Sequence, residues 1–215
     1  MRRNHLRTPL GPSVLATPRR TIPALLLPLA LGAGGVAIAA PPDDPVRVVI
    51  ETEMGAFELE VDVGRAPVTA ANFLRYVDGG HYDGGTFFRT VHAENQPDDS
   101  IRIAVIQGGR NPDAAADPFP AIALERTSET GLRHVDGAVS MGRTGPDTAT
   151  DSFFICIGDQ PSLDFGGTRN PDGQGFAAFG RVIDGMDVVR AIHAAPYEAQ
   201  RLTPPVRIGR AYRKE

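Results

Sequence analysis

Apolar and polar positions alternate along several short stretches of the chain, which is the spacing expected of strands with one buried face. The clearest case is residues 57–63, where Phe, Leu and two Val alternate with two Glu and one Asp. The β-rich run Val46–Ile50 precedes it, and Glu-Met-Gly at residues 53–55 supplies a turn between the two. Residues 46–63 therefore predict a hairpin that packs one face against a core.

Further strand-like runs follow, each bounded by Gly, Pro, Asn or Asp. They cover residues 86–91, 101–107, 138–141, 153–157, 176–182 and 206–208. Two stretches carry apolar residues at helical spacing instead, from Val68 to Gly79-Gly80 and from Met186 to His193. Because hairpins outnumber helical crossovers, a barrel or sandwich is favoured over a parallel sheet.

The first forty residues have a different pattern, with five arginines and no acidic residue. From Ile22 to Ala40 the chain is apolar and uncharged, and Ala37-Ile38-Ala39 has the A-x-A form of a signal cleavage site. We expect residues 1–40 to be a signal peptide, residues 41–45 a short disordered junction, and residues 46–212 the folded domain. This predicts a periplasmic or secreted protein.

An uncleaved membrane anchor is the alternative for this segment, because nineteen apolar residues are enough to span a bilayer. Its prolines and glycines disfavour a stable spanning helix. If the segment is not cleaved, the protein is membrane-anchored; after cleavage no membrane contact is expected.

Composition and charge exclude several classes of protein and of site. Gly and Pro number 24 and 19 in 215 residues, so the chain turns often and long helical bundles are poor candidates. Without the five N-terminal arginines, 17 basic residues remain against 26 acidic ones, and nucleic acid is not expected as a partner of so acidic a chain. The single cysteine, Cys156, excludes an internal disulfide and Cys-rich zinc sites, and its apolar surroundings predict a buried thiol.

The sequence contains no familiar motif for hydrolytic, redox or metal chemistry. Its histidines do not have the spacing of metal-ligand motifs, and its glycines do not form a dinucleotide or P-loop fingerprint. There is no G-x-S-x-G elbow. We therefore expect the protein to need no metal and no cofactor.

Several segments, in a characteristic order, identify a family. They are residues 54–84, 86–91 (TFFRTV), 105–109 (VIQGG), 137–159 (GAVSMGRTGPDTATDSFFICIGD) and 175–189 (GFAAFGRVIDGMDVV). Over about residues 46–210 the chain resembles the cyclophilin-type peptidyl-prolyl cis-trans isomerases, as a bacterial, exported member. The resemblance implies a mainly β fold, a closed eight-stranded antiparallel β-barrel capped by two α-helices, in agreement with the pattern above.

The resemblance also implies a catalytic residue and a proline pocket. Arg89 matches the family's catalytic arginine, although an arginine after two aromatics in a strand is otherwise more often a surface ion pair. Gln107 matches the glutamine that holds this arginine and the substrate backbone. The other positions implied to bind substrate are Val105, Gly142, Arg143, Ser152, Phe154, Leu163 and Phe176. For Phe154 and Leu163 the alternative is ordinary core packing.

The chain departs from the family's pattern around this site. Seventeen residues separate Arg89 from Gln107, more than is common in the family, so residues 92–103 predict an inserted loop near the site. Seven positions carry residues other than the usual Phe, Met, Ala-Asn, Gln, Trp and His, namely Ala104, Val105, Gly142, Arg143, Ser152, Ser162 and Phe176. These changes predict a shallower pocket, unless the inserted loop restores aromatic contacts.

Two functions from different classes follow from these observations. The first is a prolyl isomerase that accelerates X-Pro isomerisation in exported proteins, with proline-containing polypeptides as partners and a monomer as the active form. The second is a proline-peptide binding module of the same fold with little or no catalysis. An interaction domain that uses the inserted loop alone is a weaker third possibility.

Overall fold

The computed structural model describes residues 44–96, 100–111, 114 and 117–215. The predicted signal peptide lies outside the described residues, as does most of the predicted junction. Among the residues that are described, no helix is long and apolar enough to cross a membrane.

Nine strands and three α-helices make up the described chain. The strands are Val46–Thr52 (β1), Gly55–Val61 (β2), Thr86–Val91 (β3), Val105–Gly109 (β4), Ala138–Met141 (β5), Phe153–Cys156 (β6), Ala177–Asp184 (β7), Tyr197–Glu198 (β8) and Arg201–Arg213 (β9). The helices are Pro67–Asp78 (α1), Thr127–Thr130 (α2) and Met186–His193 (α3).

Eight of these strands form a closed antiparallel barrel. Their order is β1-β2-β7-β5-β6-β4-β3-β9, and β9 pairs with β1 to complete the ring. The two-residue β8 adds only to β9. Closure pairs the strand edges that would otherwise attract other chains. The predicted eight-stranded antiparallel barrel is confirmed, as is the hairpin of β1 and β2.

The core fills the inside of the barrel with aromatic rings. Phe73 of α1 lies 5.4 Å from Phe153 and 5.0 Å from Phe179, measured between ring centroids. Phe87 of β3 contacts the same Phe153 edge-on at 5.7 Å. On the other long helix, Val189 and Ile192 are fully buried. Both predicted helices therefore cover the barrel with their apolar faces.

The helix count differs from the expected two, because α2 is a third helix. This single turn has no apolar periodicity, so the pattern of the sequence could not reveal it. Hydrogen bonds at its ends define it instead: Glu129 accepts from the main-chain N–H of Arg126, and Gly131 ends the helix with a φ of 71°.

Two strands differ most from their predicted bounds, while β1, β6 and β7 differ by one or two residues at an end. The strand expected over 101–107 begins only at Val105, because Ile103 forms its main-chain hydrogen bonds with the side chain of Gln96. The short strand expected over 206–208 is the long β9, whose Pro204-Pro205 pair lacks the N–H groups of a regular ladder.

Candidate active site

Arg89, Gln107 and Phe154 lie in one row across three adjacent strands. Arg89 of β3 is paired with Gln107 of β4, which is paired in turn with Phe154 of β6. Neighbouring strands lie about 4.8 Å apart, so the row brings together residues that are far apart in sequence. The barrel thereby places a cation, an amide and an aromatic ring side by side on its surface.

A β-bulge directs Arg89 outward. Phe87 is paired with Gly108 and Arg89 with Gln107, which makes Phe88 the extra residue of the bulge. A bulge changes the alternation of side chains along a strand. As a result Phe87 is fully buried, whereas Phe88 and Arg89 both line cavities at the surface.

Side-chain amides on two sides hold the guanidinium of Arg89. Its Nη1 donates to Oε1 of Gln107 at 3.0 Å, while Nε and Nη2 both donate to Oε1 of Gln200, at 3.0 and 2.5 Å. The amide of Gln107 is itself oriented, because its Nε2 donates to the hydroxyl of Ser152 at 2.9 Å. These bonds fix the plane of a group that is always charged and carries five N–H donors.

Beside Arg89 lies a small cavity of about 90 Å³. Its walls are Arg89, Ile103, Val105, Gln107, Gly142, Arg143, Phe154, Leu163 and Phe176. Every predicted site residue except Ser152 is therefore part of this wall, and Ser152 contacts it through Gln107. Ile103 is an addition that was not predicted as a site residue.

The floor of the cavity is Phe154, which is packed on both sides. The ring of Phe176 meets it edge-on at 5.2 Å, and the ring of His134 is nearly parallel to it at 5.9 Å. His134 is buried and bonded at both ring nitrogens, Nδ1 to Asp164 at 2.7 Å and Nε2 to the hydroxyl of Ser140 at 3.0 Å. The position of the floor thus depends on a buried polar network.

Asp164 carries the negative charge of that network. Burial alone would raise the pKa of its carboxyl group, but hydrogen bonds from His134 and Arg133 outweigh burial, and the pKa of Asp164 lies below its usual value. The carboxylate accepts from the main-chain N–H of His134 at 3.1 Å as well as from its ring. Asp164 is therefore ionised under neutral conditions, and Nδ1 of His134 carries the proton that it accepts.

The sequence of this chain matches the model of a known protein family. The model of the cyclophilin type peptidyl-prolyl cis-trans isomerase/CLD matches residues 47–213, most of the chain. The chain belongs to this family. It is an isomerase of the cyclophilin type, as predicted.

Curated relatives and solved structures give the same result. The peptidyl-prolyl cis-trans isomerase cyp18 of Streptomyces antibioticus is 37% identical over 146 residues, which covers 67% of this chain and 81% of that protein. Peptidyl-prolyl cis-trans isomerase A of Dickeya dadantii is 31% identical over 187 residues, covering 84% and 90%. A cyclophilin type isomerase of Cryptosporidium parvum shares the fold, with a TM-score of 0.63, 20% identity and coverage of 80% of this chain and 98% of that one.

Arg143, predicted to bind substrate, braces the rim of this cyclophilin's pocket. Its guanidinium donates to the carbonyl oxygen of Gly175 at 2.6 and 2.8 Å and to both carboxylate oxygens of Asp172 at 2.7 and 2.9 Å. It also lies 5.1 Å from the centroid of the Phe176 ring, and its side chain is 3% exposed. Arg143 thus fixes the loop that carries Phe176 instead of presenting donors to solvent.

The predicted inserted loop does contact the pocket, but through an aliphatic residue. Gln96 is buried and donates from Nε2 to the carbonyl oxygens of His92 and Ile103, at 2.6 and 2.7 Å. This anchor places Ile103 against the cavity. The aromatic contact with Phe154 comes from Phe176 and not from the loop.

Gln200 is the site residue that the sequence did not reveal. It lies in the turn between β8 and β9, 111 positions from Arg89, and belongs to no motif of the family quoted above. Ala199 before it has a φ of 53°, which helps to form the tight turn. Ile103 did have a signal, because it continues the alternation of Val105 and Gln107.

Proposed function

We propose that this cyclophilin isomerises X-Pro bonds in exported polypeptides, with Arg89 as its catalytic residue. The observation that carries the proposal is the guanidinium of Arg89, fixed by Gln107 and Gln200 at the edge of a pocket with an aromatic floor. A proline ring fits the chemistry of that pocket, whose apolar contacts are Val105, Phe154 and Leu163. A neighbouring structure of the same fold was determined in the presence of the dipeptide Ala-Pro.

The barrier that Arg89 lowers comes from amide resonance and is about 18–20 kcal/mol. As the bond rotates, the prolyl nitrogen becomes pyramidal and regains its lone pair. An N–H of Arg89 donates to this lone pair, which keeps it localised and leaves the C–N bond closer to a single bond. Because the planar ground state has no such acceptor, the interaction stabilises the transition state selectively. Gln107 holds both Arg89 and the substrate backbone.

Export is supported by the basic and then apolar pattern of residues 1–40. The mature protein is expected to begin at Ala40 or Pro41 and to act as a monomer in the periplasm or outside the cell. N-terminal sequencing of the exported protein tests this, and a mature chain that retains Leu25–Leu31 would show an anchor.

Substitution of Arg89 tests the mechanism. Arg89→Ala should lower kcat/KM for an Ala-Pro peptide by about 10² to 10³, the effect of losing one preorganised donor. Arg89→Lys should restore little activity, because an ammonium group lacks the planar fork. Arg181→Ala is the matched control, since Arg181 is an exposed arginine paired with Glu60. Wild-type turnover in a folded Arg89→Ala protein would contradict the mechanism.

A binding module with little catalysis is the second candidate function. The small volume of the pocket, about 90 Å³, and Ser152 in place of a longer glutamine favour it. The fixed guanidinium favours catalysis instead, because a preorganised donor contributes chiefly in the transition state. The two candidates differ in whether isomer exchange is accelerated.

A further inference from the structure

A groove lies next to the proline pocket, with Ser152 and Phe88 in its wall. Its volume is about 500 Å³, against about 90 Å³ for the pocket. It is formed by the end of β4, the bulge of β3, the residues before β6 and a section of β9. Its lining includes Phe88, Gly109, Arg110, Ser152, Arg201 and Pro205.

The bulge of β3 and an irregular section of β9 open this groove. Phe87 is paired with Val206, but Arg89, two residues later, is paired with Arg201. Residues 202–205 of β9 therefore stand opposite a single residue of β3, Phe88. Pro204 and Pro205 belong to this section and cannot donate ladder hydrogen bonds. The two strands separate here, and the gap becomes the groove.

Gly109 lies at the floor of the groove and has no side chain to fill it. A Cβ atom at this position would lie 2.9 Å from Oδ2 of Asp151 and 3.7 Å from both the Phe88 ring and Cα of Ser152. Any side chain at residue 109 would thus occupy the space between Phe88 and Ser152. Glycine leaves that space open to a ligand.

The groove and the pocket share a wall. Ser152 lines the groove, and its hydroxyl accepts the hydrogen bond of Gln107, which lines the pocket. Phe88 and Arg89 are consecutive residues that face the two cavities. An extended peptide advances about 3.3 Å per residue. A chain with its proline in the pocket therefore enters the groove within two or three residues.

The groove combines positive charge with apolar surface on an acidic protein. Arg201 is exposed and lines it together with Arg110. Among the described residues that line the groove, the carboxylate is that of Asp151, which accepts from the main-chain N–H of Arg110 at 3.0 Å. Phe88 is 36% exposed and lines the groove together with Pro205. This surface complements a side chain with an apolar stem and a terminal carboxylate.

We infer that the groove is a specificity subsite, which binds a glutamate or aspartate two or three residues from the isomerised proline. The carboxylate pairs with the guanidinium of Arg201, and the methylene groups pack on Phe88 and Pro205. This inference rests on the proposed function, because it assigns the groove to the same polypeptide substrate. It makes acidic segments next to proline the preferred substrates of this cyclophilin.

A peptide series tests the inference. Ala-Pro host peptides carry Glu, Gln or Lys at each of the three positions on either side of the proline, and NMR exchange spectroscopy gives kcat/KM at low salt. At one of the six positions, kcat/KM should be about fivefold higher for the Glu peptide than for the Lys peptide. The reason is that Glu attracts the guanidinium of Arg201, whereas Lys repels it. The preference should shrink at 0.5 M salt, where charges are screened within about 4 Å. Equal rates at all six positions would overturn the inference.

Charge reversal identifies the residue responsible. Arg201→Glu should reverse the preference at that position, so that Lys exceeds Glu when each rate is divided by the rate of the Gln peptide in the same variant. Arg207→Glu is the matched control, because Arg207 is exposed on the same strand but does not line the groove. The same preference in Arg201→Glu and wild type would overturn the inference, as would its reversal in Arg207→Glu.

Binding measurements separate this inference from the proposed function. If no peptide is isomerised, the proposed catalysis fails, and calorimetry with the same Glu, Gln and Lys peptides still tests the groove. Tighter binding of the Glu peptide, lost in Arg201→Glu, would then support the groove as a binding subsite. Equal affinities for the three peptides would overturn it.

Discussion

Gln200 determines where the guanidinium of Arg89 lies, although it does not line the pocket itself. Its side-chain oxygen accepts from Nε and Nη2 of Arg89, and its Nε2 donates to the carbonyl oxygen of Asn95 at 3.2 Å. Its own main-chain oxygen accepts from the N–H of Thr90 at 3.0 Å. Gln200 is thus a positioning residue, held by two segments of the chain, β3 and the inserted loop.

Substituting Gln200 should affect turnover more than binding. Gln200→Ala removes the acceptor of two Arg89 donors, and we expect kcat to fall about tenfold or more with little change in KM, because misplaced catalytic groups reduce rate steeply. Gln200→Glu keeps an acceptor at the same position and should retain most of the activity. Exchange spectroscopy measures both variants, and the Nε resonance of Arg89 reports its environment. Unchanged kcat in Gln200→Ala would show that Gln107 alone suffices.

Asp164 should make the pocket floor sensitive to acid. Its pKa is lowered in the folded state, so its ionised form stabilises the fold above the usual aspartate pKa of about 3.9, and this contribution is lost as pH falls through the lowered value. Urea unfolding followed by circular dichroism between pH 3 and pH 7 should show this loss in wild type. Asp164→Asn should be less stable at pH 7 by about 1–3 kcal/mol and should lose less stability in acid. Parallel pH profiles of the two proteins would contradict this role.

At the level of residues, the positions of the pocket wall were predicted from the family resemblance. Strand alternation agrees with that prediction for Val105 and Gln107, which share one face of β4. Gln200 and the partners of Arg143 could not be predicted in this way. Their contacts arise in turns and loops, where the chain has no periodic pattern that relates distant residues.

Among the elements, the inserted loop is the feature that most distinguishes this site. Gln96 holds it from within, and Arg169 holds it from outside by donating from Nη1 to the carbonyl oxygen of Ile101 at 2.7 Å. Its first residue, His92, packs against His193 of α3, with the ring centroids 3.7 Å apart. The loop is therefore tied to the barrel at both ends, which allows Ile103 to form part of the pocket.

Releasing the loop should weaken substrate binding. Gln96→Ala leaves the main chain of Ile103 without its buried partners, and the expected results are a KM several-fold higher and a free energy of unfolding lower by about 1–3 kcal/mol. Glu94→Ala is the matched control, since the Glu94 side chain belongs to the same loop and is 68% exposed. Peptide kinetics and urea unfolding measure both effects. If the two variants behave alike, the loop does not shape the pocket.

The strands and helices that the sequence predicted with their observed bounds are those with strong local patterns. They include β3, β5 and α3, whose observed bounds match the predicted ones. The bounds of β9 could not be predicted, because two prolines interrupt it and its pairing with β1 and β3 involves distant parts of the chain. The helix α2 has no apolar spacing and is defined by its capping hydrogen bonds, so the sequence pattern did not predict it.

At the scale of the whole molecule, the closed barrel explains how so small a pocket can be rigid. Ser140, Phe154, Gln107 and Arg89 are paired in one row across four neighbouring strands. Each strand in this row is paired on both sides, so none of the four residues can shift without breaking a ladder. The eight-stranded antiparallel barrel was expected from the family resemblance, whereas the groove beside the pocket follows from irregularities that only the structure reveals.

The central claim is that this protein catalyses prolyl isomerisation and does not merely bind proline peptides. NMR exchange spectroscopy on an Ala-Pro-Phe peptide, with the mature protein at catalytic concentration, tests it most directly. We predict that the cis-to-trans and trans-to-cis rates rise by the same factor and that the ratio of the two isomers is unchanged, as required of a catalyst. A ratio that shifts in proportion to added protein, with no faster exchange, would contradict the claim and identify a binding module.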